Sequence, residues 1–372
     1  MQPTHGPDYR RPPGLAGYTF APSVAYAARD AGRLLSVRLE TNTACNLRCR
    51  YCYAESGVFR HEVPYERLTR VVDEARDMGA QSVVVIGGGE PTLYSHFRDL
   101  IRYTDSRGLT PVVFTNGLLV TPELAQFLYE HNASVMGKLD SFDGDIQDFL
   151  AGMPNAHHRI QQGLRNLIDA GFTRCPEGTC RLGVSFVTNR LNLGEIETIW
   201  HFCRENRIFP NMEILTPTGR ARETLAAHTL TVDEIRPYKL ALLELDRRCY
   251  GYDWLPYTPL AASGCLQHLY SLYITMQGDA RPCAPTKLDE HPALSIDGAY
   301  PYNVNRMTLR QICESDLFTY IRSIDKHLQG KCHACRHGDE CIGCRGYAFA
   351  VGVNQGKSPL EALAMECAQC FK

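Results

Sequence analysis

The sequence predicts an α/β protein in which a run of βα units is followed by a cysteine-rich C-terminal domain. Three observations carry this prediction. Between about residues 34 and 217 short apolar runs alternate with segments of helical period, the pattern of repeated βα units. Two of those runs, SVVVIG and PVVFT, are apolar throughout rather than alternating, as strands covered by helices on both faces are. From residue 259 onward cysteine replaces periodicity as the organising feature.

Taken in order, residues 1–33 carry several prolines without an apolar period and are expected to form an irregular arm. Residues 34–230 hold six candidate strands: Ser36 to Asn42, Ser82 to Gly87, Pro111 to Thr115, Ser134 to Asp140, Leu182 to Thr188 and Asn211 to Thr216. Between the first two, Leu68, Val71, Val72 and Ala75 share one helical face, and in residues 157–170 Ile160, Leu164, Leu167 and Ile168 do the same. Right-handed crossovers turn such units into an open doubly wound sheet or a partial βα barrel, and periodicity does not choose between them. Residues 231–258 read as a bridging helix. In the last segment, 259–372, YSLYITMQGDARPC reads as a hairpin turning at Gln277 to Asp279.

With 372 residues, 44% of them apolar, the chain can bury a sizeable core. A formal net charge of −2 disfavours a nucleic-acid partner, because phosphate binding draws on an excess of Lys and Arg. The chain has no run of apolar residues long enough to span a membrane, and its opening MQPTHGPDYRRPPGLAGY lacks the apolar stretch of a secretory signal. No membrane partner and a cytoplasmic location are therefore expected. In a reducing compartment the sixteen cysteines read as metal or redox groups rather than disulfides, and eleven of them fall into spaced groups.

The first group, CNLRCRYC, places Cys45, Cys49 and Cys52 on a loop just after the first strand. Three thiolates on one short loop can hold three irons of a cubane cluster and leave the fourth iron open for chemistry. The alternative, a zinc knuckle, wants four ligands, and no cysteine or histidine close by in sequence supplies the fourth. GGGEP follows the second apolar strand, where glycine lets the backbone approach a ligand closely. Alone, such a strand end is as well read as a tight turn.

This spacing, with Tyr51 before the last cysteine, resembles the signature of the radical S-adenosylmethionine (radical SAM) superfamily. The resemblance implies a partial (β/α)6 barrel and chooses it over the open sheet. It also implies a [4Fe-4S] cluster on Cys45, Cys49 and Cys52, with S-adenosylmethionine chelating the open iron and yielding a 5′-deoxyadenosyl radical on reductive cleavage; protein groups orient the cofactor. By the same resemblance Tyr51 on the cysteine loop, and Gly88, Gly89 and Glu90, then Thr115 and Asn116, then Lys138, Asp140 and Ser141 at the ends of successive strands, stand where the cofactor is contacted. Ser185, Asn189 and Leu215 are further candidates of that kind. Simple polar strand ends or helix caps are the other reading of each.

Cys265, Gly278 and Cys283 give C-x12-G-x4-C across the expected hairpin; Cys332, Cys335, Cys341 and Cys344 follow, and Cys367 and Cys370 close the set. The pattern resembles the SPASM extension of radical SAM proteins, which houses two auxiliary [4Fe-4S] clusters, making three in all. The family's third interval is usually one residue longer than the C-x-x-C found here. Carried over, the nearer cluster takes Cys265, Cys283 and Cys344, and the farther one Cys332, Cys335, Cys341 and one of the last two cysteines, Cys367 being preferred. Residues 255–264 hold no cysteine to complete the nearer cluster, which leaves an open iron or a non-cysteine ligand as its fourth position. Read without the resemblance, the same pairs fit two zinc ribbons.

The expected function is an oxidoreductase that takes hydrogen from a C–H bond of a small polar metabolite (a sugar, cyclitol or nucleoside-like intermediate), passes the electron to an auxiliary cluster and is fed by a flavodoxin- or ferredoxin-type reductant. Maturation of a ribosomally made peptide by crosslink, oxidation or epimerisation is the alternative, and a non-catalytic iron-sulfur or zinc scaffold the second. Ala284 follows Cys283 where sulfatase-activating relatives carry an aspartate, which disfavours that reaction. Cys175, Cys180, Cys203, Cys249 and Cys313 stand outside the groups and are candidate hydrogen donors, or buried apolar residues.

Overall fold

A computed structural model describes residues 9–54, 56–57, 61–216, 219–262 and 264–370. Its strands in chain order are β1 (Gly14–Leu15), β2 (Ser36–Leu39), β3 (Ser82–Val85), β4 (Thr110–Thr115), β5 (Ser134–Lys138), β6 (Thr179–Cys180), β7 (Leu182–Thr188), β8 (Phe209–Ile214), β9 (Ser271–Ile274) and β10 (Ala280–Arg281). All six strands expected from the sequence are present, as β2, β3, β4, β5, β7 and β8, and they lie side by side in chain order, parallel throughout. The first is shorter than expected. It ends at Leu39; beyond it the Glu40 amide still donates to Ile274 O (3.1 Å), and the side chains of Glu40 and Asn42 bond to the loops at the sheet's rim.

The strands are buried on both faces: every residue of β3 and β7 is buried, as the continuous apolar runs foretold. Helix Tyr65–Asp77 turns Leu68, Val71, Val72 and Ala75 inward, and helix Ala156–Ala170 does so with Ile160, Leu164 and Leu167. Burying a side chain of this size contributes about 1.5–3 kcal/mol, so these faces fix where each helix lies against the sheet. Because all six strands run the same way, their C-terminal ends gather at one rim.

Two features depart from the expectation. The arm is not irregular: Pro22–Asp30 is a helix whose buried Ala25 and Ala28 pack it towards the short helix Gln267–Tyr270. Pro22 at its start supplies a preset φ, and two alanines three apart give too weak an apolar signal to be read in sequence. β1 further pins the arm by pairing with β6.

The second departure concerns the sheet, which does not end with the barrel. The hairpin β9–β10 turns where expected, and β9 then pairs in parallel with β2, Arg38 lying opposite Tyr273. The order β10-β9-β2-β3-β4-β5-β7-β8 is therefore one continuous sheet, the barrel strands extended by the hairpin, and it crosses the boundary drawn at residue 258.

The bridging helix, Val232–Leu245, starts at a capping box of Thr231 and Glu234 and ends in a wider turn, Asp246–Tyr250, closed by Gly251. Asp246 is fully buried there. Its carboxylate accepts hydrogen bonds from Trp200 Nε1 (2.9 Å), Arg204 Nε (2.9 Å) and Nη2 (2.6 Å), and Trp254 Nε1 (2.8 Å). One side chain thus ties a barrel helix to the segment that leads to Cys265. Among the described residues no helix is long and apolar enough to cross a membrane.

Candidate active site

At the rim of the strands a cavity of about 380 Å³ opens, and Cys45, Cys49 and Cys52 lie on one wall of it. The loop that carries them is held by backbone at close range. Gly88 has φ +69° and a side chain there would come within 2.5 Å of the Asn42 carbonyl oxygen, while one at Gly89 would overlap that of Ala44. The glycines after β3 therefore let this loop pack on the cysteine loop, a role the sequence alone left open between turn and ligand contact. Glu90 is buried between them and accepts from Thr115 Oγ1 (2.7 Å), Thr92 Oγ1 (2.7 Å) and the Asn116 amide (2.8 Å). Its burial raises its pKa, against those hydrogen bonds, and it stitches the end of β3 to the end of β4. Asn116 in turn donates to Asn46 Oδ1 (2.7 Å) on the cysteine loop.

The opposite side of the loop is held by Tyr51. Its hydroxyl donates to Asp140 Oδ2 (2.6 Å), and the Lys138 ammonium stands 4.5 Å from its ring centre and 3.3 Å from Asp140 Oδ1. Burial, then the Asp140 carboxylate, holds the Tyr51 phenol well above its usual pKa, so it acts as a donor. Tyr51→Phe removes a hydrogen bond to a charged acceptor and is expected to cost about 1.5–3 kcal/mol, read by denaturant unfolding of the loaded protein. Arg220, after β8, closes the loop from outside by donating to the carbonyls of Cys49 (3.1 Å) and Ser56 (3.2 Å). Among the three thiols, burial pushes Cys45 up and Cys49 up to about 12. At Cys52 burial also pushes upward, but hydrogen bonds from Ser56 and the charge of Arg220 outweigh it and the pKa falls.

Of the residues expected to meet the cofactor, Tyr51, Gly88, Gly89, Glu90, Thr115, Asn116, Lys138, Ser185 and Leu215 line this cavity. Asp140, Ser141 and Asn189 do not. Asp140 lies fully buried behind Tyr51, accepting the Val187 amide (2.8 Å); Ser141 donates to Glu195; Asn189 builds the turn after β7. These three are corrected from contacts to supports, since their polar groups are already spent on backbone and neighbouring side chains.

Cys265, Cys283 and Cys344 line the far wall of the same cavity. They form one group: Cys344 is raised well above the usual thiol value by burial and then by Cys367, Cys283 and Cys265, and Cys283 is raised to about 12 by burial and then by Cys265. Behind them lies the second group. The Cys367 amide donates to Cys332 Sγ (3.5 Å), and Cys341 is pushed up to about 12 by burial, then by Cys367, Cys332 and Cys370. Cys367 also touches the nearer group, its sulfur accepting from the Cys344 amide (3.2 Å). Cys335 sits in the turn that returns its amide to Cys332 O (3.3 Å). Among the described residues no three His, Cys, Asp or Glu side chains are arranged to hold a single metal ion.

The candidate hydrogen donors lie elsewhere. Cys203 is in the core, Cys180 packs with Leu15 and Phe209, the Cys175 thiol donates to Phe172 O (3.1 Å), Cys313 is buried in helix Leu309–Glu314 and Cys249 is exposed on the turn after the bridging helix. None of the five lines the cavity, so that expectation is corrected: each is apolar filling or surface.

Among the cavity-lining groups that sequence reasoning missed are Arg38, Asn211 and Glu213. Glu213 accepts from Ser185 Oγ (2.9 Å) and Asn211 Nδ2 (2.7 Å) on the β7–β8 side. A charged residue within an otherwise apolar strand, as in SVRLE and NMEIL, is the signal that marks Arg38 and Glu213. The cavity suits polar, cluster-bearing occupants. Arg38 Nε, Asn211 Oδ1, Gln267 Oε1 and Gln369 Nε2 are buried without a hydrogen-bond partner, and all four residues line it. Polar atoms left so are costly, and a polar ligand relieves them.

His268, three residues after Cys265, is buried with both ring nitrogens unpartnered, and burial, with Arg345 and Arg38 nearby, pulls its pKa down to about 3. Between pH 6.5 and 3 the unfolded chain binds a proton that the folded chain does not, so stability present above 6.5 is lost as pH falls. The loss is expected to be about 1.4 kcal/mol per pH unit below 6.5, and His268→Phe should remove that slope in denaturation midpoints measured from pH 7.5 to 5.5.

The radical SAM superfamily model matches residues 39–202 and an iron-sulfur cluster-binding SPASM domain model matches residues 265–336, together more than half of the chain. The chain belongs to the radical SAM superfamily. Membership implies S-adenosylmethionine and [4Fe-4S] clusters, and the chemistry of the two cysteine walls fits both. Among curated relatives, this radical SAM chain is 24% identical to the AdoMet-dependent heme synthase of Methanosarcina barkeri, over 87% of its own length and 94% of that protein. It is 28% identical to the mycofactocin maturase MftC of Mycobacterium tuberculosis, over 89% of its length and 82% of that protein. Its fold matches that of SuiB from Streptococcus suis bound to S-adenosylmethionine with a TM-score of 0.67 at 16% identity, over 92% of this chain and 78% of SuiB.

Proposed function

We propose that the protein is a radical SAM oxidoreductase that matures a ribosomally made peptide, with three [4Fe-4S] clusters and a flavodoxin- or ferredoxin-type reductant. The single observation that carries the reading is the cavity itself, which reaches from Cys45, Cys49 and Cys52 to Cys265, Cys283 and Cys344. A substrate held between the two walls is within reach of both. When bound, S-adenosylmethionine supplies a 5′-deoxyadenosyl radical that removes a hydrogen atom from a substrate C–H bond.

In this reading the chain is divided at about residues 33, 230 and 258 into an arm, a barrel, a bridging helix and a SPASM domain. Cys45, Cys49 and Cys52 hold the cluster that meets the cofactor; the backbone at Gly88 and Gly89, with Asn116, Lys138, Ser185 and Leu215, orients it. Cys265, Cys283 and Cys344 hold the nearer auxiliary cluster, and Cys332, Cys335, Cys341 and Cys367 the farther one, with Cys370 beside it. Between the walls Phe114, Met136, Ile214, Pro259 and Leu260 offer an apolar surface, which suits an aliphatic or aromatic side chain of a peptide. The relation to the maturase MftC points the same way.

The small polar metabolite is the second reading, favoured by the acceptor-rich cluster of Ser185, Asn211 and Glu213 on one wall. The test is to incubate reconstituted protein, reductant and S-adenosylmethionine with peptides encoded beside its gene and, separately, with sugars, cyclitols and nucleosides. Peptide maturation is expected to give a mass-shifted peptide and 5′-deoxyadenosine in equal amounts. Such coupling with a polyol or nucleoside alone would sink the peptide reading and favour the second.

A further inference from the structure

Arg38 lies within β2, between Val84 of β3 and Tyr273 of β9, at the seam where the cysteine-rich hairpin joins the barrel sheet. It is 7% exposed, its guanidinium stands 5.1 Å from the ring centre of Tyr18, and its Nε has no hydrogen-bond partner. Among the described residues no ion pair joins it to a carboxylate. A desolvated cation costs several kcal/mol unless an anion answers it, and the chain supplies none at pairing distance. What it supplies instead is the nearer cysteine group: Arg38, Cys265, Cys283 and Cys344 line one cavity. Two other buried arginines of the region are differently placed: Arg281 is paired with Asp289, and Arg345, although its Nε and Nη2 are also unpartnered, commits Nη1 to the carbonyls of Leu363 (2.9 Å) and Met365 (2.7 Å) and anchors the C-terminal turn.

We infer that Arg38 is a positioning residue for electron transfer: its fixed charge beside Cys265 and Cys283 favours the reduced form of the cluster they hold and so makes that cluster the better electron acceptor. The inference rests on the functional reading above and deepens it. A cluster becomes one unit more negative on reduction, and a positive charge held in a low-dielectric wall stabilises the more negative form. Substrate oxidation then balances as follows. A hydrogen atom leaves to the deoxyadenosyl group, one electron leaves the substrate radical for this cluster and one proton leaves for solvent, and an oxidised flavodoxin- or ferredoxin-type partner takes the electron onward. Glu213, which also lines the cavity, is the carboxylate that opposes the effect, and at Cys265 the charge of Arg38 outweighs it.

The test is a redox titration followed by electron paramagnetic resonance, without substrate, in protein whose Cys45, Cys49 and Cys52 are alanine so that only auxiliary clusters contribute. Arg38→Gln is expected to make reduction of the nearer cluster about tenfold less favourable, about 59 mV for a one-electron couple, with Arg38→Lys close to the unsubstituted protein and the farther cluster unmoved. An unchanged potential in Arg38→Gln overturns the inference. Should glutamine cost iron at this place, Arg38→Met keeps the stem packed on Tyr18 and is read by the same criterion. Substrate is absent, so a role for Arg38 in holding a substrate anion would leave the potential unmoved and count against the inference. Failure of the functional reading looks different: no auxiliary signal, and far fewer than about eight irons, in the parent protein itself.

Discussion

Alanine at Cys45, Cys49 and Cys52 together is expected to abolish 5′-deoxyadenosine formation while retaining about eight of about twelve irons per chain. The selectivity follows from the architecture. The three cysteines sit on a loop clasped by Asn116, Tyr51 and Arg220, and the remaining groups belong to another wall and to the turn behind it. On the proposed reading, removing three thiolates takes one cluster and its cofactor, so the loss should be complete rather than graded. Iron and sulfide analysis beside a chromatographic assay for deoxyadenosine reads both halves. Retention of cofactor cleavage would mean that another set of cysteines holds the catalytic cluster, and loss of nearly all iron would mean that the loop organises the whole fold.

The largest effect on stability is expected from Asp246→Ala. Asp246 is fully buried and answers four donors, two of them on one guanidinium and two on indoles that precede and follow the bridging helix in the chain. Its removal leaves the Arg204 charge buried without its counter-ion and two indole N–H groups unpaired, a change expected to cost about 3–5 kcal/mol. Denaturant unfolding of the loaded protein measures it. Asp246→Asn keeps the volume and some of the hydrogen bonds and should cost less. Because Arg204 and Trp200 lie on a barrel helix while Trp254 leads to Cys265, the alanine variant should also loosen the auxiliary wall, seen as faster loss of iron to a chelator.

Most of the barrel was legible because each strand is a continuous apolar run and each helix repeats its apolar face, both of which are local signals. The ends of those strands were legible for the same reason, glycine or a polar residue standing directly after an apolar run; that they would meet a cofactor came only from the family resemblance, and nine of the residues so expected line the cavity. What escaped is non-local. Nothing in YSLYI says that it will pair with SVRL more than two hundred residues earlier, nor that Gly14–Leu15 will meet Thr179–Cys180. Asp140 had the right address at a strand end, but whether a side chain faces the cavity or supports a neighbour depends on Tyr51 and Val187, which only the folded chain brings to it. The five stray cysteines illustrate the same limit, since their residue type fits a hydrogen donor and their positions do not.

The pairing of β9 with β2 has a kinetic corollary. Electron tunnelling falls off steeply with distance, so two redox centres on domains joined by a hinge would exchange electrons at a rate that fluctuates with every opening. In this chain the strand that leads into the Cys45 loop and the hairpin strand that lies between Cys265 and Cys283 in sequence are neighbours in one hydrogen-bonded ladder, from Ser36 opposite Ser271 to Leu39 opposite Ile274. The hairpin between the two auxiliary cysteines is therefore part of the barrel sheet, so on the proposed reading the two centres ride on one rigid frame, and a substrate would enter by the mouth of the cavity because parting the walls would mean tearing the sheet.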